Sequence, residues 1–551
     1  MNKRSYKGKI TILMAISLLL SACSNANNAG NEEGSGHANA NSVGSSAVQE
    51  ERDSNINKEG LPIVKEKVSL QFVTTMSPLQ KKPYADLQVV KDFEAKTNVH
   101  IDWDAVPSES YKEKKNLIFA GGSLPDAFYG INALDDADVT LYGDQGYLIP
   151  LEDLIEAYAP NIKRLFELRP EYKEGVTSSD GHIYSIPTIH EQDQLTQEDA
   201  LFINKKWLDT LGLPLPATVE QFEQVLQAFK QKDPNGNNIA DEIPFSFIYG
   251  GARQDGIYSM FGSFGRLDNP DHLVIENGQL VFTADKPAYR EAVEYFNRLY
   301  QEGLIDPESF TQDTQVITAK GKNEGVPILG AFVGWNAANV LGPERAADYV
   351  ALAPLKDSNG NQLWNKYHGS SFTRSGFSIT SASKYPEVAI RWIDAQYEEE
   401  ESLQWSSGPI GVNLIKNGDR YDYAPIPEGK SYGEFRHTEA PGNQSARAIL
   451  RETFAKINES ETNLAKIALW NFYKPYQPKE IYPLVVFDAA DLERLNILKT
   501  DLYSYIDKKQ AQFIVKGFTQ EDWDSYVKEL EKMNLNELLD IYSRYYDKSK
   551  R

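Results

Sequence analysis

The sequence predicts an α/β protein. Two observations carry that reading. Short β-branched and aromatic runs alternate with amphipathic stretches of helical period, and the first three elements read strand, helix, strand. A third is compositional: 24 Phe, 30 Tyr and 8 Trp give a chain of 551 residues ample material for large cores and exclude disorder over most of its length.

Taken in order, the chain opens with Lys3, Arg4, Lys7 and Lys9, followed by eleven apolar-to-neutral residues, Ile10 to Leu20. A bilayer span needs about 20, so this reads as a signal-peptide core over residues 1–22. Leu20-Ser21-Ala22-Cys23 follows and is similar to a bacterial lipobox. That similarity implies a diacylglyceryl anchor on Cys23, the sole cysteine of the chain, and hence attachment to the outer face of the cytoplasmic membrane. Residues 23–60 are rich in Asn, Ser, Gly and Glu, hold no aromatic residue, and read as a flexible tether.

The body then begins. "VSLQFVTT" (68–75) has strand composition. "YADLQVVKDFEAKTN" (84–98) places Leu87, Val90 and Phe93 on one helical face, and "VHIDWDAVP" puts Val99, Ile101 and Trp103 on one face of a strand. A strand–helix–strand order predicts a right-handed parallel crossover. The next helix stops at Gly121-Gly122 and leads into a short strand at 127–129. After Pro187 a second α/β set starts. It contains "ALFINKKWLDTLGL" and the amphipathic "TVEQFEQVLQAFKQK", with Thr218 as N-cap. The C-terminal segment carries an apolar stripe through Trp523, Tyr526, Leu530 and Met533 behind a Thr519 cap. Trp207, Trp392 and Trp523 sit on such stripes and are expected in the core.

Charge and motifs narrow the function. Lys plus Arg is 57 against 79 Asp plus Glu, so the net charge is −22, which disfavours nucleic acid as a partner. The single cysteine excludes a disulfide framework, and seven scattered His show no metalloprotease pattern. No nucleophile-elbow, P-loop or dinucleotide-binding signature follows a strand.

Several blocks resemble one family. "SLPDAFYG", "DGHIYSIPT", the run from "LFINKKWLDTLGL" to "DPNGNNIADEIPF", and the terminal "GFTQEDWDSYVKELEKMNLNELLDIY" are similar to family 1 extracellular solute-binding lipoproteins of carbohydrate ABC importers. The likeness runs from about Val68 onward and is nearest the branch containing alginate-oligosaccharide-binding proteins. It implies two α/β lobes in a periplasmic-binding-protein-like fold, joined by hinge crossings, with a ligand cleft between them. Lobe one would comprise 61–187 and 376–410, and lobe two 188–375 and 411–551. The implied partners are an oligosaccharide and the permease subunits of the importer. The implied protein is a monomer and not an enzyme. Two alternatives stay open at this stage: a secreted glycan-degrading enzyme, and a lipoprotein that holds glycan without transport.

Asp233, Asn235, Asn237, Asp241 and Glu242 place oxygen side chains at positions 1, 3, 5, 9 and 10 of one loop, with the Ile239 carbonyl at position 7. Oxygen ligands of this kind suit a structural Ca²⁺. The loop departs from a regular EF-hand, with Asn238 at position 6 and Pro244 at position 12. The family resemblance implies a variant loop that ends in an acidic pair.

Sugars present flat apolar faces edged by hydroxyls, so a cleft needs aromatic platforms beside fixed polar groups. The candidates are Trp335 at the end of an apolar strand-like run, Tyr129 at another strand end, and His190 and Glu191 after the first crossover. Trp364 in a polar loop and Arg374 near the return crossing complete the set. Arg374 is the candidate partner for an acidic sugar.

Overall fold

Two β-sheets organise the chain in a computed structural model that describes residues 54–250, 255–368, 372–428, 430 and 432–550. The signal peptide, Cys23 and most of the expected tether lie outside the described residues. Ser54–Arg551 form one compact unit.

The strands are β1 Val68–Met76, β2 Val99–Pro107, β3 Ala127–Tyr129, β4 Ile186–His190, β5 Ala200–Asn204, β6 Ile243–Ser246, β7 Leu273–Glu276 and β8 Gln279–Phe282. They continue with β9 Leu329–Gly334, β10 Tyr349–Ala351, β11 Phe372–Ile379, β12 Leu414–Asn417, β13 Arg420–Tyr423 and β14 Ala448–Ile449. The first sheet has the order β14-β4-β11-β3-β1-β2, and the second β10-β5-β9-β6. β1 and β2 pair in parallel from Val68 with Val99 to Met76 with Pro107, as the strand–helix–strand order predicted. Two hairpins, β7-β8 and β12-β13, stand apart from both sheets.

Each sheet has its own core. Around the first, Leu87, Val90, Phe93, Phe72, Trp392 and Trp405 are buried together; around the second, Trp207, Phe222, Phe229, Phe296, Phe332 and Trp523. The C-terminal helices, including Gln520–Lys532 and Leu535–Ser549, pack into the second core. Thr519 caps the first of these through a reciprocal capping box with Asp522. Thr218 caps helix Val219–Gln231 by accepting from the Gln221 N–H at 3.2 Å.

Two expected boundaries move. The body starts before residue 61: Ile56 and Ile63 are buried in the first core, and Arg391 donates to the Gly60 carbonyl at 2.7 Å. The stretch after 411 does not pass at once to the second lobe. β14 pairs in parallel with β4, and Ala440, Ala446 and Ala448 belong to the first core. The reason is steric as well as electrostatic. Gly130 has φ +90°, and a Cβ there would stand 2.3 Å from the Gln444 carbonyl oxygen, so the 442–444 turn can lie directly on the strand end. The Ile131 N–H donates to that carbonyl at 3.0 Å, and the Thr75 hydroxyl to Gln444 Oε1 at 2.9 Å. The turn thereby caps the C-terminal ends of β1 and β3.

Candidate functional site

Strand direction places the site. β1, β3 and β4 run parallel in effect and end at Met76, Tyr129 and His190, and β4 leads straight into the second sheet through residues 191–199. In the second sheet, β5 starts and β9 ends at the same edge, since Ala200 pairs with Gly334. The residues just outside that pair, Asp199 and Trp335, are therefore neighbours where the two lobes meet.

Trp335 is half-buried and shares this position with Lys466. Lys466 belongs to helix Glu461–Tyr473, which Ser460 caps by accepting from the Asn463 N–H. Its Nζ lies 3.6 Å from the centroid of the Trp335 ring and donates to the Trp335 carbonyl at 3.0 Å. Burial drives the Lys466 ammonium down to about 7, against the opposing pull of Asp199 and Glu198. Burial pushes the Asp199 carboxyl up to about 7; Ser259, Lys466 and Trp364 each hold it back. Trp364 Nε1 donates to Asp199 Oδ1 at 3.0 Å, whereas Asp199 Oδ2 is buried with no hydrogen-bond partner. Of this group only Trp335 is open to solvent; Asp199 and Lys466 are buried behind it and fix the position of its ring.

The remaining candidates fall elsewhere. Tyr129 is fully buried in the first core. It accepts from Gln396 at 2.8 Å and packs edge-on to Trp103 and Trp392, so it is a core residue and no ligand platform. Its side chain follows the sheet face that carries Phe72, which a strand-end position does not reveal. Trp364 is 1% exposed and packs on Tyr473 at 4.8 Å, so it too is core. Glu191 serves a structural ion pair. Arg169 Nε donates to it at 2.9 Å, the Tyr172 hydroxyl at 2.6 Å and the Arg451 N–H at 2.8 Å. Burial alone would raise its carboxyl, but these donors hold it below the usual range. His190 donates its Nε2–H to Gln192 Oε1 at 2.8 Å, and its Nδ1 accepts from the Arg447 Nε–H at 3.3 Å. Burial, then Arg447, drives it well below its ordinary value, so it is neutral at physiological pH. Arg374 is buried and donates to Thr140 and Ser178. It lines a 110 Å³ cavity with Asp136, Phe372 and Val485. Asp136, Leu484 and Val485 also border a larger one, about 430 Å³, walled by Leu267, Ile275, Tyr367, Tyr482 and Phe487.

The oxygen-rich loop joins helix Val219–Gln231 to β6. Asp233 accepts from the N–H groups of Gly236, Asn237 and Asn238, and Asn235 and Asn237 both donate to Asp241. Asp233 and Asn238 take positive φ, 44° and 60°, which curls the loop on itself. Among the described residues no three His, Cys, Asp or Glu side chains converge as a metal centre by themselves. The donor set still fits a hard cation. Glu242 Oε1 is buried without a partner, and burial raises its carboxyl, reinforced by the charges of Asp233 and Asp241. Cation ligation by Asp233, Asn235, Asn237, Asp241, Glu242 and the Ile239 carbonyl would satisfy all of these oxygens.

Lys466 and the turn at 436–447 were missed by sequence reasoning.

The family described as "Bacterial extracellular solute-binding protein" matches residues 77–402. The fructooligosaccharide ABC transporter substrate-binding protein FusA of Streptococcus pneumoniae serotype 4 is 37% identical over 503 residues, 88% of this chain and 91% of its own. The structure of S. pneumoniae FusA with kestose superposes with a TM-score of 0.81 at 35% identity, covering 88% of this chain and 99% of that one. An EF-hand mutant of FusA with fructo-nystose gives the same values.

Proposed function

Because this chain belongs to the bacterial extracellular solute-binding proteins, we propose that it is the oligosaccharide-capturing component of an ABC importer, with a neutral fructooligosaccharide-type ligand. The observation that carries this reading is the grouping of Trp335, Lys466 and Asp199 where the lobes meet. Apolar sugar faces stack on tryptophan, and the buried Lys466 and Asp199 hold the Trp335 ring in place for that contact. The similarity to FusA, over nearly the whole of both chains, supports the fructose-containing class.

The two sheets with separate cores support a clamp. A ligand that touches both lobes favours the closed form by its difference in affinity for the two forms, and no more. The importer then reads the closed arrangement. The relatives described above are binding proteins, and an unaltered ligand is the expectation here as well. A structural Ca²⁺ in the 233–242 loop would staple helix Val219–Gln231 to β6; the donor set and the orphan Glu242 oxygen support it. When bound, the ion would supply only charge neutralisation and rigidity. A lipid anchor on Cys23, outside the described residues, would hold a monomer at the cell surface beside its permease. Among the described residues, no helix is long and apolar enough to cross a membrane.

The test is a thermal-shift panel of neutral and acidic oligosaccharides, followed by calorimetry. Stabilisation by kestose or nystose without change in the sugar supports the reading. No stabilisation by any oligosaccharide contradicts it.

A further inference from the structure

The Trp335 group supplies only the second lobe's half of a clamp. On the first lobe the segment 432–447, whose 442–444 turn caps the strand ends, carries two neighbouring cations, Arg436 and Arg447. Some buried cations of the protein have a carboxylate, Lys115 with Asp138 and Lys320 with Asp306 at 2.6 Å. Arg447 is 3% exposed and has none. The charges acting on it are those of Arg436, which repels it, and the hydroxyls of Tyr129, Tyr397 and Tyr432. Its own N–H groups go to the Ser445 carbonyl at 2.7 Å, the Asn443 carbonyl and His190. Arg447 is thus a structural post that holds the turn onto β4.

Arg436 stands in front of it. Its guanidinium carbon lies 5.5 Å from the centroid of the Tyr432 ring, and its Nε–H is buried with no acceptor. Tyr432 meets Tyr423 with ring centroids 4.9 Å apart at 71°, and both rings are only half-buried. The Tyr432 hydroxyl donates to Ser407 Oγ at 3.3 Å, which fixes the ring. A rigid pair of aromatic faces beside an unsatisfied guanidinium donor is a built recognition surface.

We propose that Tyr423, Tyr432 and Arg436 form a second saccharide subsite on the first lobe, in which a neutral sugar residue lies against the tyrosine pair and a hydroxyl accepts from Arg436. This rests on the function proposed above and names the groups that grip the other end of the same ligand. A neutral residue is favoured over an acidic one. Glu459 acts on Tyr423, and the chain carries a net charge of −22, so an anion would meet repulsion on approach.

The experiment uses the full chain and kestose as probe. Affinity by calorimetry is compared for the parent, Arg436→Gln, Arg436→Lys and Tyr432→Ala, with melting temperature recorded for each. The expected result is a loss of tenfold or more in Arg436→Gln and Tyr432→Ala at melting temperatures within a few degrees of the parent, partly restored in Arg436→Lys. Equal affinity in all four proteins overturns the subsite and leaves the transport reading intact. A parent that binds no neutral oligosaccharide overturns the transport reading and the subsite with it. A parent that binds an oligogalacturonate more tightly than kestose, with that preference lost in Arg436→Gln, overturns the neutral assignment. Should Tyr432→Ala fail to fold, Arg436→Gln decides alone, since its side chain is partly solvated.

Discussion

Lys466 lays its ammonium 3.6 Å from the centre of the Trp335 ring and donates to the carbonyl of that same residue. The cation covers one face of the platform while Asp199, across the sheet edge, keeps an unpaired carboxylate oxygen. The proposed ligand contact on the second lobe rests on this arrangement, and its parts can be separated by substitution.

Trp335→Ala removes the platform. Affinity for kestose is expected to fall by ten- to a hundredfold, about 1.4–2.8 kcal/mol, while the fold survives because Trp335 lies outside both cores. Trp364→Ala is the contrasting case. Removing a tryptophan from a packed core costs about 3–5 kcal/mol, so a large drop in melting temperature is expected. Calorimetry and thermal denaturation of the two variants check the contrast. Equal loss of stability in both would place Trp335 in the core.

Asp199 gives the protein a pH signature. Its folded value, about 7, lies above the ordinary 3.8, so folding favours the protonated form. The stabilisation this gives is fully present below about pH 4 and is lost as pH rises through about 7. Asp199→Asn keeps the acceptor for Trp364 but cannot ionise. Its melting temperature should therefore rise relative to the parent between pH 5 and pH 8. Lys466 and Glu198 are the charged groups facing this carboxyl, and Lys466→Met should steepen the parent's decline by removing the one cation that favours the carboxylate.

Glu191→Gln tests the structural reading of that residue. It removes the more buried of Arg169's two carboxylate partners, Glu452 remaining at 3.0 Å, and a loss of about 1 kcal/mol in stability is expected. Kestose affinity should stay within threefold of the parent. A large affinity loss at unchanged stability would return Glu191 to the cleft.

Chelation tests the 233–242 loop. EGTA should lower the melting temperature of the parent by several degrees and leave Asp241→Ala unaffected. One calcium per chain is expected by native mass spectrometry. An unchanged melt with no bound metal would show a loop held by its own Asx turns, with Asp233 accepting three backbone N–H groups as it does now.

Local physics made much of the architecture legible. Strand composition located β1, period-2 alternation β2, and the helix stop at Gly121-Gly122 the short β3 after it, and the caps at Thr218 and Thr519 stand where spacing put them. The oxygen-rich loop was visible because its donors are close in sequence. Residues brought together over long sequence distances were not. Gly130 meets Gln444, and Trp335 meets Lys466; neither pair leaves a trace in any short window. Tyr129 and Trp364 show the converse limit. An aromatic at a strand end or in a polar loop has the same local sequence whether it faces a core or a cleft. Only packing against Trp392 and Tyr473 separates the cases.

The most direct measurement is calorimetric titration of the full chain with kestose, followed by mass spectrometry of the recovered sugar. Saturable one-to-one binding with the trisaccharide returned intact is the predicted result. Absence of binding across the oligosaccharide panel, or recovery of shorter sugars, would contradict it.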